Sequence, residues 1–358
     1  MKYLALTGLA VLLTLFFGCG AMIEREYISV APHTEQFTAE ESSDALTAEN
    51  YLSLRNAILT FVQNGTERGV IRIYDYTGDV ESDLAAATYD VSKNDPLGAY
   101  AVDYMTHDCT QIVSYYEAHI NITFRRTVEQ IESIQKLSST VDLPDMLSPA
   151  LERYASSLTV RVPYYVDMDI HAMVREYYKL HPLTYMQMPL VTVNLYPEEG
   201  YVRVIEMLFS YDQTAQSLIE KQDAVATSVR AAKEYVRYRE TQTEKLQLLY
   251  TYLLERFPYS FADTTTPVYG FLCEGVIGNS GSARGMQILC DSMGVECYTV
   301  EGFRGGEPYA WNIINVDGVY CHVDLLQAIR LGSEQLSFFK DAAMTDYSWD
   351  AALYPVCT

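Results

Sequence analysis

The sequence predicts an α+β protein in which a duplicated helix–strand–helix–hairpin region precedes a separate C-terminal α+β domain. Three observations carry this. Between residues 51 and 211 the apolar spacing switches repeatedly between helical and alternating patterns, and the same succession occurs twice. Asp212 to about Glu240 contains alanines and Lys/Glu but no Gly or Pro, as a long helix should. After Thr241 an apolar helical stripe leads into a Gly-punctuated segment, a second helix and a strand. With 358 residues and 49% hydrophobic content, the chain can bury two or more cores.

Met1 to Gly18 has one lysine followed by an apolar run, Leu4 to Phe17, interrupted by Thr7, Gly8 and Thr14. That run is short for a membrane span and reads as a signal peptide. Phe16-Phe17-Gly18-Cys19 resembles a bacterial lipobox, with Phe16 where leucine is usual. The resemblance implies that residues 1–18 are removed and that Cys19 is diacylated. It places the chain at the cell membrane, lipid-anchored on the extracytoplasmic face; an ordinary signal peptide is the alternative. Residues 19–50 are polar and acidic, including Glu40-Glu41-Ser42-Ser43-Asp44, and read as a flexible tether.

Unit one (51–140) should contain a helix around Leu54–Phe61 and a strand Val70–Tyr76. A helix around Leu84–Val91 follows, then Asp95-Pro96-Leu97 and a hairpin of Tyr100–Met105 with Tyr116–Phe124. Unit two (141–211) repeats the order with Leu147–Tyr154, Leu158–Tyr165, Ile170–Leu180, His181-Pro182-Leu183, Leu190–Tyr196 and Tyr201–Tyr211. Alternation in Ile120–Phe124 and Val202–Met207 indicates half-buried antiparallel strands, and Pro197–Gly200 a turn. His107, His119, His171 and His181 are scattered without metal-ligand spacing. Residues 212–240 form the linking helix, and 241–358 the C-terminal domain.

In that domain Leu246, Leu249, Tyr250, Leu253 and Leu254 mark one helical face, ended by Pro258-Tyr259. Asn279-Ser280-Gly281-Ser282-Ala283 opens a second helix, whose stripe is Ala283, Met286, Leu289, Cys290 and Met293. Asn279 is a good candidate for its N-cap. Further on lie Gly302, Tyr309-Ala310-Trp311-Asn312, and Asp317-Gly318 leading to His322-Val323-Asp324. This order resembles the transglutaminase-like family, a papain-related group with Cys-x-Gly-Tyr-Ala, His-Ala-Trp-Asn and Val-Asp elements. The resemblance covers roughly Thr241 to Thr358, including the aromatic tail Tyr347-Ser348-Trp349. It sets the family's cysteine on Asn279, its histidine on Tyr309 and its aspartate on Asp324.

A cysteine–histidine acyl-transfer site needs a thiolate, a base and a group to orient the base. A carboxamide at Asn279 offers no nucleophile, and a phenol titrating near 10 is a weak base at neutral pH. The resemblance therefore implies the scaffold without its usual chemistry. Tyr309, in a chain with 30 tyrosines, reads as a packed aromatic. Ser280 with His322, which shares a strand face with Asp324, is the alternative catalytic pair.

The net charge of −22 argues against nucleic-acid binding. Seven cysteines occur; with Cys19 acylated, Cys109, Cys273, Cys290, Cys297, Cys321 and Cys357 remain, with pairing open. Their spacing matches no zinc pattern, and no cofactor is expected. The reading that results is a membrane-tethered binding module for a peptide or peptidoglycan fragment. An active hydrolase or acyltransferase with a relocated nucleophile (Ser280 or a nearby cysteine) and a purely structural surface scaffold are the alternatives. Oligomeric state is left open.

Overall fold

A computed structural model of the chain describes residues 45–358; the leader, Cys19 and most of the tether lie outside the described residues. The described part is mixed α+β, with its strands in three four-stranded sheets and one short parallel pair.

The first sheet opens with a strand at the end of the expected tether. β1 (Leu46–Ala48) runs parallel to β2 (Arg68–Ile73) and buries Ala48. Asn50 then caps α1 (Tyr51–Gln63) in a capping box with Ser53, so the chain is already ordered where the tether was expected to continue. α1 buries Leu54, Ile58, Phe61 and Val62 against α2 (Val80–Lys93), which Asp79 caps. Asp95-Pro96 does not lead into a strand. Asp95 accepts hydrogen bonds from the Leu97 and Gly98 amides, and Pro96 sits in the first turn of α3 (Pro96–Ala101). Tyr100 thus belongs to a helix, and the hairpin begins two residues later, as β3 (Val102–Ile112) and β4 (Tyr115–Phe124). Gly98 is required here, because a Cβ would lie 1.8 Å from the Val91 carbonyl oxygen. The sheet order is β1-β2-β4-β3.

The second sheet, β5-β6-β8-β7, comprises β5 (Gln135–Lys136), β6 (Ser157–Val162), β7 (Leu190–Tyr196) and β8 (Arg203–Ser210). It is covered by α4 (Leu143–Glu152) and α5 (Ile170–Leu180). In each sheet the first two strands are parallel and the other pairings antiparallel. An ion pair between half-buried Arg126 and buried Glu206 joins the two. Arg126 donates to Glu206 at 2.8 Å and lies over the Tyr100 ring, while Asn194 and Tyr196 also donate to Glu206.

The long helix, α6 (Ala215–Val236), is more than a linker. Leu218, Val225, Val229, Ala232 and Val236 pack into the core of the C-terminal part, and Ser228 donates to the Leu272 carbonyl at 2.8 Å. α7 (Gln242–Arg256) contributes Leu246, Leu249, Tyr250 and Leu253 to the same core. A parallel pair, β9 (Ser260–Phe261) and β10 (Val276–Ile277), brings the chain to α8 (Asn279–Ser292). α8 packs on an antiparallel sheet, β13-β12-β11-β14. Its strands are β11 (Cys297–Arg304), β12 (Glu307–Val316), β13 (Val319–Val323) and β14 (Tyr347–Ser348). α9 (Leu325–Arg330) follows β13 directly.

Candidate functional site

The site lies where the start of α8 meets β12 and the end of β13. Side chains alternate along a strand, so Tyr309 and Trp311 emerge on one face of β12. The register pairs Ile313 with His322 and Asn312 with Val323, which brings Tyr309 and Trp311 towards Asp324 and His322. Gly281 lets α8 start here, since a Cβ would lie 2.4 Å from the Pro267 carbonyl oxygen.

Asn279 is not the helix cap. Gly278 takes that position in extended geometry, without a side-chain cap, and Asn279 is the first helical residue. Its amide nitrogen donates to the Ala310 carbonyl and its oxygen accepts from the Ala310 N–H, both at 2.8 Å. A carboxamide carries a donor and an acceptor, and the β12 backbone matches both, whereas a cap would use only the acceptor.

Next to Ala310, the Tyr309 hydroxyl donates to Asp324 Oδ1 at 3.1 Å. Asp324 is buried and caps α9 by accepting from the Gln327 N–H at 2.9 Å. Its Oδ2 accepts from the Tyr347 hydroxyl at 2.6 Å and lies 3.9 Å from Arg304 Nη1. Burial, with the Asp324 charge second, pushes the Tyr309 phenol up. Tyr347 is pushed up by burial and by its hydrogen bond to Asp324. Both phenols are therefore protonated donors at neutral pH, and neither is a base. Asn279 is thus tied to the backbone of Ala310, and its neighbour Tyr309 to Asp324, with each polar group committed to a structural partner.

Ser280 and His322 are not paired. His322 is fully buried; its Nδ1 accepts from Trp311 Nε1 and its Nε2 lies 2.8 Å from Asp341 Oδ1. An indole N–H can only donate, so Nδ1 is the unprotonated nitrogen and Nε2–H donates to Asp341. No ring nitrogen is left for Ser280. Burial lowers the His322 pKa against the opposing pull of Asp341.

The Cys357 sulfur, His322 and Asp341 have ligand atoms within 4.8 Å of one another. This set does not fit a metal. A ligating imidazole needs a free lone pair towards the ion, and here that nitrogen holds the proton that Trp311 forces onto it. Cys357 is no nucleophile either, because burial, then Asp341, pushes its thiol up to about 12. All six described cysteines are free thiols.

Sequence reasoning missed Arg304, Gln327 and Tyr347 as partners of Asp324, and Asp341 as partner of His322. In sequence, Tyr347 is only part of an aromatic tail. Its role follows from pairing of β14 with β11, which sets Tyr347 opposite Arg304. On the α9 side of Asp324 is a cavity of about 260 Å³ bounded by Arg304, Gln327, Phe339, Met344 and Tyr347.

No family model matches the chain, and no curated protein matches it significantly. No helix among the described residues is long and apolar enough to cross a membrane.

Proposed function

We propose that this chain is a lipid-anchored extracytoplasmic protein whose C-terminal domain keeps a transglutaminase-like, papain-related scaffold as a binding module for a peptide or cell-wall fragment. The observation that carries this reading is that Asn279, at the start of α8, pairs with the β12 backbone beside Tyr309, and that Tyr309 bonds Asp324 at the end of β13. A thiol at the first position and an imidazole at the second would form the pair that acyl transfer needs. A carboxamide clamped to backbone and a protonated phenol do not. The Trp311 and Asn312 side chains support the scaffold reading, because both serve packing. Trp311 orients His322, and Asn312 donates to the Ala283 carbonyl of α8 at 2.9 Å. The shared strand order and directions of the two earlier sheets support two copies of one unit, the first opening at β1 and the second at β5, each a few residues before the bounds of 51 and 141 that the periodicity suggests.

The test is an assay of the purified chain for amidase, protease and transglutaminase activity, with peptide binding measured in parallel. Binding without turnover is expected. Turnover that disappears in Asp324→Ala or Ser280→Ala sinks the reading.

A further inference from the structure

The cavity between α9 and the C-terminal segment has an unusual balance of polar groups. Its only acidic wall residue, Asp324, is fully engaged: Oδ1 accepts from Tyr309 and the Gln327 amide, and Oδ2 accepts from Tyr347. Arg304 is engaged by the Gln327 side chain and by the Tyr309 hydroxyl. Its Nη1 donates to Gln327 Oε1 at 2.9 Å and lies beyond hydrogen-bond reach of Asp324, at 3.9 Å. The guanidinium sits over the Tyr309 and Tyr347 rings, 5.4 and 5.2 Å from their centroids, and because it carries five N–H donors, its two side-chain partners leave some of them unspent. Because Gln327 Oε1 is taken, that side chain has only its NH₂ to offer. Ser337 lies on the same wall, and Leu331, Phe339 and Met344 supply an apolar remainder. The unsatisfied groups are therefore donors around a fixed fork, beside a pocket for a small apolar group.

We propose that this cavity takes the free carboxylate end of a peptide or N-acylated amino acid with an apolar side chain. The carboxylate meets the Arg304 fork and the Gln327 amide, and the side chain lies against Phe339 and Met344. Planar two-point recognition of a carboxylate is what a stacked arginine does best. The chain's net charge of −22 repels anions at long range, but salt screens that within about 8–10 Å. The inference rests on the reading that this site binds, and adds the end group and the face of Asp324 that receives it.

Isothermal titration of the full chain with N-acetyl-L-leucine, its D-enantiomer and N-acetyl-L-leucinamide tests it. The free acid should bind at least about tenfold more tightly than the amide, the loss expected for one charge-assisted contact. Arg304→Gln should bring the acid down to the amide's level. Ala343→Phe, at an exposed wall position, should abolish binding while leaving the melting temperature unchanged. Preference for the D-enantiomer would point to a cell-wall stem peptide, and preference for the L-enantiomer to a protein terminus. Amide and acid binding within about threefold of each other, or acid binding that survives Ala343→Phe, overturns the inference. A longer peptide that binds equally with free and amidated ends overturns it too, but leaves the binding reading standing. Absence of binding by every peptide overturns both.

Discussion

Replacing Asp324 with alanine should be the most damaging polar substitution in the site, and the structure says by how much. The side chain caps α9, and losing a cap costs about 1 kcal/mol. The Tyr309 and Tyr347 hydroxyls, both in half-buried rings, lose their acceptor, at about 1 kcal/mol each. Arg304 is partly exposed and 3.9 Å away, so its share is small. The expected loss is about 3 kcal/mol. Asp324→Asn keeps one oxygen for the cap and for Tyr309, but sets an NH₂ group against the Tyr347 hydroxyl, and should cost about half as much. Urea unfolding of the two variants beside the parent at pH 7 measures both. A loss below about 1 kcal/mol for alanine, or equal losses for the two variants, would refute the view that Asp324 organises this site.

Three further outcomes follow. His322 binds a proton less tightly when folded than an unfolded histidine does, because it is buried. Its contribution to stability is therefore present above about pH 6.5 and is lost as pH falls below that value. Urea midpoints at pH 7.5 and 5.5 should show that decline, and His322→Gln should flatten it. Glu206→Ala leaves half-buried Arg126 without its partner and should cost about 2–3 kcal/mol, whereas Arg126→Met with Glu206→Leu should recover part of that loss; equal losses for the single and double changes would contradict the pairing. In native protein at pH 8, iodoacetamide should modify half-buried Cys109, Cys273 and Cys321 before buried Cys290, Cys297 and Cys357, as read by peptide mass spectrometry.

Strong local signals carry through to the structure. α5 runs over Ile170–Leu180 and β7 over Leu190–Tyr196, with the bounds their periodicity implies. Elements that depend on distant partners are not legible. β1 has three residues in acidic sequence and exists only by docking beside β2. Asp95-Pro96 is compatible with a turn or a helix start, and packing on α2 decides for the helix. Asn279 has the local pattern of a cap, but Ala310, 31 positions later, claims its carboxamide. Tyr309 has the context of a packed aromatic; it is half-buried, and its hydroxyl finds Asp324. Of the three positions drawn together by motif order, Tyr309 bonds Asp324 and Asn279 bonds Ala310 beside Tyr309, whereas Tyr347 and Asp341, which tie down Asp324 and His322, come from the C-terminal segment, where no spacing pattern marks them as partners.

The proposed scaffold reading requires that a thiol at position 279 and an imidazole at position 309 would stand as a pair. Putting them back tests it most directly. In an Asn279→Cys/Tyr309→His variant, the alkylation rate of the introduced thiol should be measured against pH. A thiolate held beside an imidazolium at a helix start should titrate at least about 2 units below the ordinary value near 8.5, and removing the introduced imidazole should restore that value. A thiol that titrates near 8.5 with or without the imidazole would contradict the account.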